Sequence, residues 1–131
     1  MANWGGPLTK VGSNTVVAER IELADSFCSR FLGLQFRRSL PMGTGILLTP
    51  CRSIHTHWMR FAIDIAFLGD GGEVLSVYRD IRPWRTLNPR DRRVRGVLEM
   101  CTGTLSVEPG DRLQLQVAGE VRASLSWLSA E

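Results

Sequence analysis

Lysine is almost missing from this chain: of sixteen basic residues, only Lys10 is not an arginine. So lopsided a choice reads as a GC-rich genome rather than an arginine-specific chemistry. Cysteine is scarce as well. Cys28, Cys51 and Cys101 are odd in number and show no C-x-x-C spacing, which argues against a disulfide framework. They read as reduced thiols that pack as small apolar side chains. No window approaches the ~18 uninterrupted apolar residues of a membrane helix. The opening MANWGGPLTK has neither the basic lead nor the apolar run of a secretory signal, so the expected location is the cytoplasm. The glycines at 43–45 and 69–72 precede neither G-K-S/T nor a strand–GxGxxG–helix context, which removes phosphate-loop readings and leaves turns. Internal repeats and low-complexity tracts are lacking too.

What is present describes one small β-rich domain. A length of 131 residues is about one domain, and 44% hydrophobic residues can build a core without metal or disulfide staples. Residues 1–14 lack periodicity and read as a loosely ordered lead, with the domain over 15–131. Residues 15–23 begin β-branched, place Val17 and Ile21 on one face, and predict a strand. Asp25 or Ser26 can cap a short helix in which Phe27 and Phe31 meet at i, i+4 and Leu34 extends the stripe. Residues 46–49 form a short apolar strand stopped by Pro50. Over residues 63–68, Ile63, Ile65 and Phe67 alternate with Asp64, Ala66 and Leu68, so both faces are largely apolar, as in a central strand. Gly69-Asp70-Gly71-Gly72 then reads as a hairpin loop, with its returning strand over 73–81. Further strands are expected over 94–101, 113–117 and 121–128, with Pro109-Gly110-Asp111 as a turn before the second. About six or seven short strands with one or two short helices predict a mainly β, compact domain, either barrel-like or a folded mixed sheet.

Four stretches carry a family resemblance. They are Arg30-Phe31-Leu32-Gly33-Leu34-Gln35-Phe36-Arg37, the run CRSIHTHWMRFAIDIAFL from Cys51 to Leu68, Val97-Leu98-Glu99-Met100, and Pro109-Gly110-Asp111. In this order and spacing the chain resembles the domain of unknown function 192 family, small bacterial and archaeal proteins. The resemblance covers nearly everything after the lead. It implies a compact β-rich domain with a few short helices, and no known activity, cofactor or substrate. Many relatives carry a signal or lipoprotein leader, whereas this chain resembles the leaderless kind. One departure matters: where the family usually has large apolar residues between the threonine and the methionine, this sequence places His57. A metal site built on His57 would therefore not be family-wide.

Several residues could carry chemistry. Cys51, His55 and His57 share strand parity at C-x₃-H-x-H, and Cys101 or Asp64 could complete four metal ligands. The spacing matches no finger or zincin pattern, so packed or solvent-facing histidines are expected, with no metal or other cofactor. Cys51 and His55 as nucleophile and base would need a bend, because four residues of regular strand separate their α-carbons by about 13 Å. Asp64 and Glu99 lie inside apolar strands, where a lone carboxylate is costly. Each needs an arginine or a backbone N–H, with Arg30, Arg37, Arg60 and Arg79 as candidates. Internal ties are the expected role, ahead of a general acid–base pair.

The net charge of +3 conceals an asymmetry. Residues 79–95 hold Arg79, Arg82, Arg85, Arg90, Arg92, Arg93 and Arg95 against Asp80 and Asp91, leaving nine basic and eleven acidic residues elsewhere. Trp84 and Tyr78 add stacking faces. The excess is modest and no nucleic-acid module is recognisable, so nucleic acid is not the expected partner. The candidate ligand-binding residues are Cys51, His55, Asp64, Arg79, Trp84 and Glu99. The expected function is a non-enzymatic binding or accessory module that presents a His- and Arg-bearing surface to a small anionic ligand or protein partner. The alternative is a small hydrolytic or metal-assisted enzyme using Cys51, His55, Asp64 and Glu99, although no complete catalytic set occurs at motif spacing.

Overall fold

The β-branched and apolar stretches form eleven strands among the described residues, which in this computed structural model are 3–13, 15–24, 37–116 and 125–128. They are β1 (Asn3–Gly5), β2 (Leu8–Lys10), β3 (Val16–Ala18), β4 (Arg20–Ala24), β5 (Thr44–Leu48), β6 (Ile54–His55), β7 (Ile63–Leu68), β8 (Val74–Ile81), β9 (Thr86–Leu87), β10 (Gly96–Cys101) and β11 (Leu113–Leu115). Six of them build a mixed sheet in the order β1-β4-β5-β10-β7-β8, with β4 and β5 parallel and the other neighbours antiparallel. A second sheet has the order β11-β2-β3, and β6 pairs with β9 in a two-stranded ribbon.

Among the described residues none of these sheets closes on itself, which corrects the barrel-like alternative. The reason lies in the central strands. A barrel hides one face of each strand, but β5, β7 and β10 are apolar on both faces, and both need cover. One face of the large sheet, with Ile21, Leu47, Ala66, Leu98 and Met100, packs against Leu8, Val17 and Leu113 of the three-stranded sheet. The opposite face, with Ile46, Ile65, Phe67 and Val97, packs against Ile54, Met59 and Val94. All six residues of β7 are buried, as its two-sided pattern predicts.

Two other expectations change. The lead supplies β1 and β2, and Leu8 is fully buried, so the segment expected to be loose is paired on both sheets. Strands of three residues carry too little periodicity to be seen in sequence. Residues 15–23 form two strands in different sheets, because the chain turns at Glu19, where the Glu19 and Arg20 amides both donate to the Gly43 carbonyl (2.8 and 3.1 Å). The expected helix with Phe27 and Phe31 lies outside the described residues, as do Cys28 and most of the last expected strand. Of that strand, residues 125–128 form a turn instead, with Leu125 and Leu128 buried in the core and the Trp127 indole donating to Thr49 Oγ1 (3.0 Å).

The β7–β8 hairpin closes through a short 3-10 turn, Asp70–Gly72. Gly72 sits at φ +77°, and a Cβ there would collide with the Leu113 carbonyl, so only glycine serves both needs.

Candidate binding site

The ribbon of β6 and β9 lies over the second core, and one side chain fastens the loops at its ends. Thr56 is completely buried. Its hydroxyl donates to the Arg82 carbonyl (2.7 Å) and accepts from the Arg85 amide (2.8 Å). Its backbone amide donates to the Arg85 carbonyl (2.8 Å), and its carbonyl accepts from the Trp84 amide (3.1 Å). Two polar loops are thereby held in one arrangement without a sheet of their own. We expect Thr56→Val to cost about 1–3 kcal/mol, because it leaves the part-buried Arg82 carbonyl and Arg85 amide without that partner. Urea unfolding would measure the loss, and near-ultraviolet circular dichroism should show the tryptophan signal weakening.

The staple carries a row of rings. Next to Thr56, buried Met59 anchors the loop in the core while Trp58 turns outward. The centroids of His55 and His57 are 4.8 Å apart, His57 stacks on Trp84 at 5.2 Å, and Trp84 meets Trp58 edge-on at 4.8 Å. Trp58 is 56% exposed and Trp84 is 54% exposed. Both occupy the left-handed region, at φ 67° and 65°, where a bulky side chain is disfavoured and strain of about 1–3 kcal/mol is typical. Burial cannot explain that strain, since these rings face solvent.

His55 Nδ1 accepts from the His57 amide (3.3 Å), which places the proton of the neutral ring on Nε2. Partial loss of hydration lowers its pKa, and the neighbouring His57 lowers it further. At neutral pH the ring is an uncharged donor.

The arginine-rich segment divides into two groups. Arg79 pairs with Glu108, Arg93 with Asp91 and Arg95 with Asp70. Arg82 and Arg85, on either side of Trp84, form no ion pair among the described residues, and neither does Arg60 beside Trp58. Arg90 and Arg92, further along the segment, form none either, so part of the positive charge left without an ion pair among the described residues borders the rings. Trp58, Met59, Arg60 and Trp84 line a notch of about 430 Å³. Arg82, Arg85 and Asp80 help line a second cleft, of about 320 Å³.

Of the residues singled out in sequence, His55 and Trp84 come together here, with His57 between them. The others go elsewhere. Buried Asp64 accepts at Oδ1 from the Asp80 amide (2.9 Å) and at Oδ2 from the Gly103 and Leu105 amides (3.0 and 3.3 Å). It ties β8 to the chain after β10, and its partners are backbone amides rather than an arginine. Arg79 donates to the Leu105 and Val107 carbonyls (3.3 and 2.7 Å), fastening the same segment. Glu99 is 4% exposed in mid-sheet, opposite Ile46 and Ile65. Burial pushes its pKa up to about 7, with Arg37 opposing. Arg37 itself forms a two-pronged pair with Glu22 (2.9 and 2.9 Å). Cys51 donates to the Ser53 carbonyl (3.1 Å) and Cys101 to Thr104 Oγ1 (3.5 Å). Among the described residues no three His, Cys, Asp or Glu side chains gather as metal ligands would, so the set Cys51, His55, His57 and Cys101 does not assemble.

Sequence reasoning passed over Trp58, Thr56 and Arg60 as site residues. The available signal was the tight alternation His55 out, Thr56 in, Trp58 out, Met59 in, over a stretch too short to be a regular strand.

The architecture defines a single β-rich domain, layered around one mixed sheet, with an aromatic and basic surface on its two-stranded ribbon. The chain belongs to the domain of unknown function 192 family, described as "Uncharacterized ACR, COG1430", whose model matches residues 8–115. It is 38% identical over 104 residues to a UPF0127 protein of Pyrococcus furiosus, covering 72% of this chain and 84% of that one. A UPF0127 protein of Thermococcus sibiricus is 30% identical over 119 residues, 85% of this chain and 75% of its own. The fold matches a protein of unknown function from Novosphingobium aromaticivorans (TM-score 0.68, 24% identity, 82% of this chain and 83% of that one). It also matches a Sinorhizobium meliloti protein proposed to be a transcription regulator (TM-score 0.72, 23% identity, 88% and 94%). These two likenesses show the fold alone.

Proposed function

We propose that this protein is a binding module that holds a small anionic ligand on the surface formed by residues 55–60 and 82–85. The observation that carries this reading is the pair Trp58 and Trp84, both strained, both more than half exposed, and both fixed over the buried Thr56 staple. The strain holds the rings against each other and against His57 at the surface rather than in the core, and such positions cluster at ligand sites. Arg60, Arg82 and Arg85, which form no ion pair among the described residues, supply the charge preference. An enzyme using Cys51, His55, Asp64 and Glu99 is disfavoured because Asp64 is committed to three amides and the four do not gather. A reducing cytoplasmic setting suits the module, with Cys51 and Cys101 standing as thiols.

The test is a thermal-shift screen with phosphate, sugar phosphates, nucleotides and dicarboxylates. An anion that fits should raise the melting temperature, with stabilisation of about 2.7 kcal/mol when its free concentration is a hundred times Kd. The shift should shrink with added salt and in the double variant Arg82→Ala/Arg85→Ala. No shift from any anion at millimolar concentration would end this reading.

A further inference from the structure

We infer that the ligand of this surface is a nucleoside phosphate, its base stacked in the notch that Trp58 and Trp84 help line and its phosphate on the neighbouring arginines. This rests on the binding reading above and narrows it to one chemical class. The first step concerns the ring. Four of the described residues line the notch, and among them Arg60 is the only one with a charged or hydrogen-bonding side chain apart from the indole N–H groups. A sugar ring placed there would lose water from several hydroxyls and find no carboxylate or amide side chain among these four residues to replace it. A heteroaromatic base presents two apolar faces and keeps its polar edge free to reach solvent.

The rings themselves favour stacking. Trp84 already stacks with His57 at an interplanar angle of 29°, so its plane suits face-to-face contact. Trp58 meets Trp84 edge-on at 62° with centroids 4.8 Å apart, so the two indoles already touch and a base would stack on an outer indole face rather than between them.

The second step concerns charge. Arg82 and Arg85 flank Trp84 in the chain and help line a second cleft, while Arg60 lines the notch itself. Guanidinium groups match phosphate oxygens two at a time. Asp80 also lines that cleft, with its carboxylate accepting from the Thr102 hydroxyl (3.1 Å), so the phosphate belongs at the arginine end. Three unneutralised arginines suit a phosphate monoester, which carries about two negative charges, better than a single carboxylate.

Isothermal titration calorimetry on the full chain at low salt tests the class, using 5′-AMP, adenosine, ribose 5-phosphate, glucuronic acid and single-stranded oligothymidylate. We expect 5′-AMP to bind about tenfold or more tighter than either adenosine or ribose 5-phosphate, ~1.4 kcal/mol or more from each half. Trp84→Ala should bring 5′-AMP down to ribose 5-phosphate, and Arg82→Ala/Arg85→Ala should bring it down to adenosine. Quenching of the native tryptophan fluorescence by 5′-AMP, but not by ribose 5-phosphate, checks stacking without any variant. Ribose 5-phosphate or glucuronic acid binding as tightly as 5′-AMP would overturn the nucleotide class and leave anion binding standing. Binding of none of these anions would overturn both. Oligothymidylate binding more than about a hundredfold tighter than 5′-AMP would replace the mononucleotide with a single strand, since several bases would then be stacking.

Discussion

Replacing Phe67 by Ala should destabilise the protein by about 3–5 kcal/mol, the range for a large aromatic side chain removed from a closed core. Phe67 has no exposed surface and lies in β7 between β10 and β8. Its ring meets Tyr78 of β8 edge-on, with centroids 5.8 Å apart. The same core holds Ile54 and Met59, which seat the ribbon and its loop, so the void would open beneath the proposed binding surface. Equilibrium unfolding in urea measures the loss, with an unchanged slope showing that the unfolded state is the same. A loss below about 1 kcal/mol would mean that the site collapses around the void or that β7 is not central. With typical domain stability at ~5–15 kcal/mol, the expected loss is a large share of the whole.

What made β7 legible was local. Six residues with no polar face except Asp64 can only be a strand covered on both sides, and the four-residue glycine-rich loop after it dictates a hairpin. The break between β3 and β4 depends instead on the Gly43 carbonyl, which lies two dozen residues away and leaves no trace in residues 15–23. Layering was hidden for the same reason. Periodicity tells which side chains share a face, but not whether the second face is covered by the same sheet curling round or by another one.

The candidate site was half legible. His55 and Trp84 were visible as residue types suited to binding, and they reach one surface, bridged by His57, because Thr56 bonds to Arg82 and Arg85. A buried threonine holding two loops together looks in sequence like any other β-former. Asp64, Arg79 and Glu99 stood out for a sound reason, charge within or beside apolar strands, yet charge in a strand signals cost before it signals function. Asp64 and Arg79 meet that cost with backbone partners. Both help hold the segment around Leu105.

Glu99 meets it differently, and its behaviour should appear as a pH dependence of stability. No hydrogen bond reaches its carboxylate from a described residue; Arg37, already paired with Glu22, is the charge that faces it. Burial raises its pKa from 4.5 to about 7. A carboxyl that holds its proton more tightly when folded favours the native state in acid. That stability is fully present below pH 4.5, declines as pH rises, and is lost once pH passes about 7. The span corresponds to about 3 kcal/mol at 1.36 kcal/mol for each pH unit. Glu99→Gln keeps the shape and removes the titration. We expect variant and wild type to unfold at similar urea concentrations near pH 4.5, and the variant to be more stable by about 3 kcal/mol at pH 8, a figure that already includes the attraction of Arg37 for the ionised acid. Other groups titrate in both proteins and cancel in the difference. Two stability curves running parallel from pH 4.5 to 8 would show that Glu99 ionises as an ordinary carboxylate, and its burial would then have to be offset by a partner stronger than Arg37.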